Sequence, residues 1–178
     1  MKSNIIIIDN RGTGFDKAIE ETNKVAVYTE LNHQDALRLQ LCTEEMLSLA
    51  RSLMSMKEAS FWIENEDRRF MLHMSTQGIM DKEQREMLLS TATSTKNEAA
   101  TSFLGRLRDA FESAMASMPH TSDDIPTDVM DDLVNHEIEL SDPEWDKYER
   151  STLRRLADNI EIAIRGKTVD MTVYKTFD

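Results

Sequence analysis

Two adjacent glutamates, Glu44 and Glu45, lie in the stretch LCTEEMLSLARSLM from Leu41 to Met54. A carboxylate at the edge of an apolar helical stripe has the position of a general base, half shielded and facing a cleft. The competing reading is a solvated edge residue, which is where glutamate usually sits. At 100° per residue Glu45 falls on the stripe's edge near Leu41 and Ser52, whereas Glu44 turns toward solvent beside Ser48. Gly12 and Gly14 stand between a strand-like run and a helix-like run, an arrangement shared by tight turns and by phosphate-binding loops. His33, His73, His120 and His136 are dispersed, without the i, i+4 spacing of a metal-binding helix. The one cysteine, Cys42, permits neither an internal disulfide nor a Cys-based zinc site.

The elements that must position these groups follow from periodicity. Four isoleucines, Ile5 to Ile8, bounded by the turn signal Asp9-Asn10-Arg11-Gly12, predict a β-strand. Phe15, Ile19, Thr22, Val25 and Ala26 predict a helix from Phe15 to about Leu31, with Glu20 and Lys24 paired on its outer side. Asn32 is the expected cap of a long central helix from about Gln34 to Ser55, whose buried side is Leu39, Cys42, Met46, Leu49, Ala50 and Leu53. Residues Ala59 to Asn65 and Arg69 to Met74 read as a hairpin turning at Asn65-Glu66-Asp67. Asp81 with Gln84 forms a capping box for a short helix to Ser90.

Thr91 to Asn97 is small, polar and expected to be mobile. From Ala99 to about Met118 the spacing of Phe103, Leu104, Leu107, Phe111 and Met115 predicts another helix. Ser141 with Glu144 marks a second capping box, opening a helix to about Ala157. Ile160, Ile162 and Ile164, then a Gly166-Lys167 turn, then Val169, Met171 and Val173, alternate with the period of a half-buried hairpin. Hairpins make the sheet largely antiparallel. Alternation buries one face, so the helices should cover that face in a two-layer α+β sandwich.

With 178 residues the chain has the length of a single domain, 1–178. Lys and Arg total 21 against 33 Asp and Glu, a formal charge of −12. Ten of the acids lie between His120 and Asp146, with no Lys or Arg among them, which reads as an acidic insertion at about 120–146. That balance argues against nucleic acid or an anionic membrane as a partner. No run approaches the ~20 apolar residues of a membrane span, and the expected location is cytoplasmic.

Taken together, these residues resemble the GHKL superfamily of gyrase- and histidine-kinase-like ATPases, and within it the bacterial anti-sigma-factor serine kinases. EEMLSLA, Glu44 to Ala50, is similar to the ATP-site helix. The stretch Tyr148 to Phe177 is similar to the closing helix and final hairpin, with a Leu-Ala-Asp step followed by strands ending in Val-x-Lys-x-Phe. The chain also resembles a group of bacterial proteins described as ATP-binding. The resemblance implies a Bergerat-type fold with ATP as ligand.

In that family a glutamate orients the attacking water and an asparagine four residues later chelates magnesium. Glu45 matches the first, and Leu49 stands in the second place without an oxygen to offer. Shifting by one residue pairs Glu44 with Ser48 instead. The adenine-reading Asp-x-Gly-x-Gly would fall in MSTQGIMDKEQ, Met74 to Gln84, which lacks that spacing. The phosphate lid would fall near Lys96 and Asn97, where the N-terminus of the next helix would add its partial positive charge. These features imply a regulatory protein with a degenerate ATP site. A magnesium ion in the usual place is not expected. Its partner would be a protein, such as a sigma factor or its regulator, or a second copy of the chain. The alternatives are an active ATP-dependent serine kinase or ATPase with a rearranged site, and an interaction module independent of nucleotide.

Overall fold

The computed structural model describes residues 1–53, 58–100 and 152–178. In chain order the elements are β1 (Ile6–Asp9), α1 (Phe15–Tyr28), α2 (His33–Leu53), β2 (Glu58–Glu66), β3 (Arg69–Gln77), α3 (Lys82–Thr91), β4 (Asn159–Arg165) and β5 (Thr168–Thr176). A 3-10 turn occupies Glu98–Ala100, and 152–156 is helical. The Phe103 to Met115 stripe, the acidic 120–146 insertion and the Ser141 capping box lie outside the described residues.

The strands make one open antiparallel sheet in the order β1-β2-β3-β5-β4. The first and last hairpins are therefore neighbours, joined along β3 and β5 from Arg69 opposite Thr176 to Gln77 opposite Thr168. Phe61 and Ile63 of β2, Phe70, Leu72 and Met74 of β3, Ile160, Ile162 and Ile164 of β4, and Val169, Met171 and Val173 of β5 are all buried. They share one core with Ala18, Val25 and Ala26 of α1 and Leu39, Cys42, Met46, Leu49 and Ala50 of α2. Each fully buried Val, Leu, Ile, Phe or Met among them contributes roughly 1.5–3 kcal/mol of transfer free energy. The intervening strand residues, Trp62, Glu64, His73, Ser75, Asp170 and Thr172, form the opposite, half-exposed face.

Helix α1 lies against β1 and β2, α2 packs on α1 and β5, and α3 bridges α2 and β4. Thr22 and Thr43 meet between α1 and α2, their hydroxyls 3.0 Å apart while Thr22 donates to the Ala18 carbonyl at 2.8 Å. A buried polar pair of this kind is tolerated because both groups are satisfied.

Local chemistry sets the element ends. Helix α1 stops at Tyr28, short of Leu31, because Glu30 turns left-handed (φ 54) and the Leu31 N–H bonds back to the Ala26 carbonyl at 3.0 Å. Asn32 caps α2 by accepting the Asp35 N–H at 3.0 Å. The first hairpin turns at Asp67-Arg68, later than Asn65-Glu66-Asp67, with Asp67 at φ 52 and Glu66 paired to Arg69. Both halves of the Asp81 capping box form, at 2.7 and 3.2 Å. Replacing Asp81 with alanine is expected to cost about 1 kcal/mol, read as a lowered urea midpoint with an unchanged slope.

Thr91 to Asn97 departs from the expected mobile linker. This segment is bound along β4, because Thr93 and Asn97 carry side chains that reach the strand's backbone.

Candidate functional site

Helix α2 carries Glu44, Glu45 and Ser48 half exposed, while Leu49 is 1% exposed and belongs to the core. The cause is the apolar stripe itself. Leu39, Cys42, Met46, Leu49 and Ala50 must face the sheet, and that rotation turns Glu44 and Ser48 outward on a common line with the partly exposed Leu41. Gln40 donates to Glu44 at 2.7 Å. The pair Glu44 and Ser48 thus shares an accessible face, and the pair Glu45 and Leu49 does not. A leucine packed in the core supplies no oxygen to a hard cation, so the magnesium site implied by the resemblance does not fit these residues. Among the described residues, no three His, Cys, Asp or Glu side chains gather as a metal-ligand set.

Lys96 is exposed on the segment that follows α3. Asn97, by contrast, is buried, donating to the Ile164 carbonyl at 3.0 Å and accepting the Ile164 and Ala99 N–H groups at 2.8 and 3.1 Å. Its amide holds the chain to β4, and its oxygen caps the 3-10 turn Glu98–Ala100. Lys96 and the α2 glutamates reside on separate elements, with α3 packed against both α2 and β4.

The Gly12-x-Gly14 loop is a tight turn. The Asp9 carboxylate fills its concave side, accepting the Arg11 and Thr13 N–H groups at 2.9 Å each. An acid of the chain thereby takes the place a phosphate would occupy in a phosphate-binding loop. The Thr13 N–H, with help from Arg11, holds this carboxyl below the usual aspartate range. A group with a depressed folded pKa stabilises the fold above its unfolded value and loses that contribution as pH falls through the folded one. The unmodified protein should therefore lose stability on acidification that Asp9→Asn does not lose, measured as the difference in urea midpoints from neutral pH into the acid range.

One cluster on the helical side was not legible in the sequence. The Lys175 ammonium stands 2.9 Å from Asp158, whose other oxygen accepts the Thr176 N–H at 2.6 Å. Partial burial opposes ionisation of Asp158, but these two partners outweigh it and keep its carboxyl low. Burial pushes the Cys42 thiol up to about 12, with the Lys175 charge opposing and Asp158 and Glu45 adding to the rise. Cys42 is consequently a neutral packing group at physiological pH. Asp158 belongs to the Leu-Ala-Asp step and Lys175 to the Val-x-Lys-x-Phe run. Their pairing ties the start of β4 to the end of β5, a contact visible only once the strands are placed.

On the opposite sheet face Trp62 stacks on His73, with ring centroids 4.9 Å apart and planes 13° from parallel. Lys2 lies 4.9 Å from the Trp62 ring centre, so His73 and Lys2 both engage the indole. Burial lowers the His73 pKa below the ordinary histidine value. Among the described residues, no helix is long and apolar enough to cross a membrane. No protein-family model matches this chain, and no curated protein matches it.

Proposed function

We propose that this chain is a GHKL-type regulatory protein. In this reading it has a Bergerat-type scaffold whose nucleotide site has degenerated, and it acts through contacts with a protein partner such as a sigma factor or its regulator. The observation that carries the reading is the combination of an antiparallel sheet uniting the first and last hairpins with a core-facing Leu49 on the central helix. Asn97, engaged with β4, and the Asp9-filled turn point the same way, since both take up groups that a phosphate would need. Calorimetric titration with ATP and ADP, with and without magnesium, tests it. The expected result is weak or absent heat that magnesium does not enhance. Tight, magnesium-dependent binding would contradict it.

One observation favours a second reading. Glu44 and Ser48 stand one turn apart on the accessible face of α2, the spacing a rearranged catalytic pair would use. That enzyme would be an ATPase or serine kinase with Glu44 or Glu45 as base and Lys96 on the phosphates. It requires turnover in the unmodified protein that disappears in Lys96→Ala and in either Glu44→Gln or Glu45→Gln, and an absence of turnover removes it.

A further inference from the structure

The two edges of the sheet are closed in different ways. At β1 the chain's own turn folds back: the Asp9 N–H bonds the Thr13 carbonyl at 3.1 Å, and Gly14 lies directly over the Ile7 carbonyl. At β4 the closure comes from a segment that is not a strand. The Thr93 N–H donates to the Ile160 carbonyl at 2.9 Å, and the Thr93 hydroxyl accepts the Ile160 N–H at 2.8 Å. Four residues on, the Asn97 carboxamide repeats the pattern with the carbonyl and N–H of Ile164. Each pair reproduces the reciprocal donor and acceptor that a neighbouring strand would present.

We propose that Thr93 and Asn97 form a false strand that closes the outer edge of β4 and holds off pairing of that edge with a second copy of this chain. An uncovered edge is a template for another strand, and natural sheets cover, shorten or charge their edges for that reason. The competing occupant is a second copy because β4 is self-complementary. In an antiparallel pair centred on Ile162, Ile160 would lie opposite Ile164 of the second copy, and Asn159 opposite its Arg165. The backbone groups now bonded to Thr93 and Asn97 would then satisfy each other across a two-fold axis. The alternating Ile160, Ile162 and Ile164 would meet their counterparts on the same buried side.

Two measurements test the proposal. In the unmodified protein the Ile160 and Ile164 amides should exchange with deuterium as slowly as ladder amides of β5, and exchange at the rate of unprotected amides would overturn it. In the Thr93→Ala/Asn97→Ala variant, light scattering should show a concentration-dependent doubling of mass relative to the unmodified protein. An unchanged mass with a native circular-dichroism spectrum would overturn it. Should the double variant fail to fold, Thr93→Ala alone decides, since Thr93 is exposed. Its Ile160 amide should exchange about tenfold faster with Ile164 unaffected, and an unaltered Ile160 rate would overturn the proposal.

Discussion

Replacing Leu49 with asparagine is expected to destabilise the protein by about 4 kcal/mol and to confer no magnesium binding. The substitution restores on paper the amide that the ATP-site helix of the resembling family carries. In the folded chain, however, Leu49 is 1% exposed and packed in the same core as Cys42, Met46 and the central strands. Two losses add: the transfer free energy of a leucine side chain, roughly 1.5–3 kcal/mol, and the burial of a polar amide, about 1–3 kcal/mol where it finds no full set of partners. Against a typical total stability of about 5–15 kcal/mol, that is a large fraction. Ser48→Asn is the control, because it adds the same amide one residue away on the half-exposed side of α2 and should shift stability by less than about 1 kcal/mol. Urea unfolding of the two variants checks the contrast. Equal, small effects would mean that α2 is rotated differently about its axis.

Gly14→Ala is expected to cost about 3 kcal/mol, while Gly12→Ala, two residues earlier, costs about 1. Both glycines have φ of 87°, so an alanine at either position carries the left-handed penalty. They differ in surroundings. A methyl group on Gly12 meets nothing within 4 Å, whereas one on Gly14 would collide with the Ile7 carbonyl oxygen, a backbone atom that cannot rotate away. Relief requires α1 to lift from β1, which would open contact with Ile8 and Ala18 in the core. Thermal melts of the two variants read the difference. A Gly14→Ala protein as stable as Gly12→Ala would show that the strand-to-helix approach is looser than the geometry implies.

The fold was legible where side-chain period and capping chemistry act locally. The Ile160 to Val173 alternation specifies a hairpin by itself, and the Asp81–Gln84 reciprocity specifies where α3 begins. The stripe of α2 placed Leu49 inside from sequence alone, and the structure keeps it there. What the sequence left open depends on tertiary approach. Thr93 looks like a linker residue and Asn97 like a phosphate contact until β4 lies beside them, since a threonine hydroxyl and an asparagine amide acquire a role only from the backbone they meet. The Asp9 carboxylate likewise reads as a turn former, and its occupation of the Gly12-x-Gly14 concavity emerges only from the folded loop. The Lys175–Asp158 pair joins residues 17 apart across a hairpin whose register had to be known first. Of the candidate site residues, Glu44, Glu45 and Ser48 keep the accessible positions that helical periodicity assigns them, and Asn97 is committed to the sheet edge.

If the proposed reading holds, α2, with Leu49 turned into the core, offers no seat for a divalent ion. Manganese added with ATP tests it most directly, because a paramagnetic ion broadens the amide signals of nearby residues and reports position as well as binding. No selective broadening is expected along residues 44 to 49 at manganese concentrations that saturate free ATP. Selective loss of the Glu44, Glu45 and Ser48 signals, reversed by excess magnesium, would contradict it.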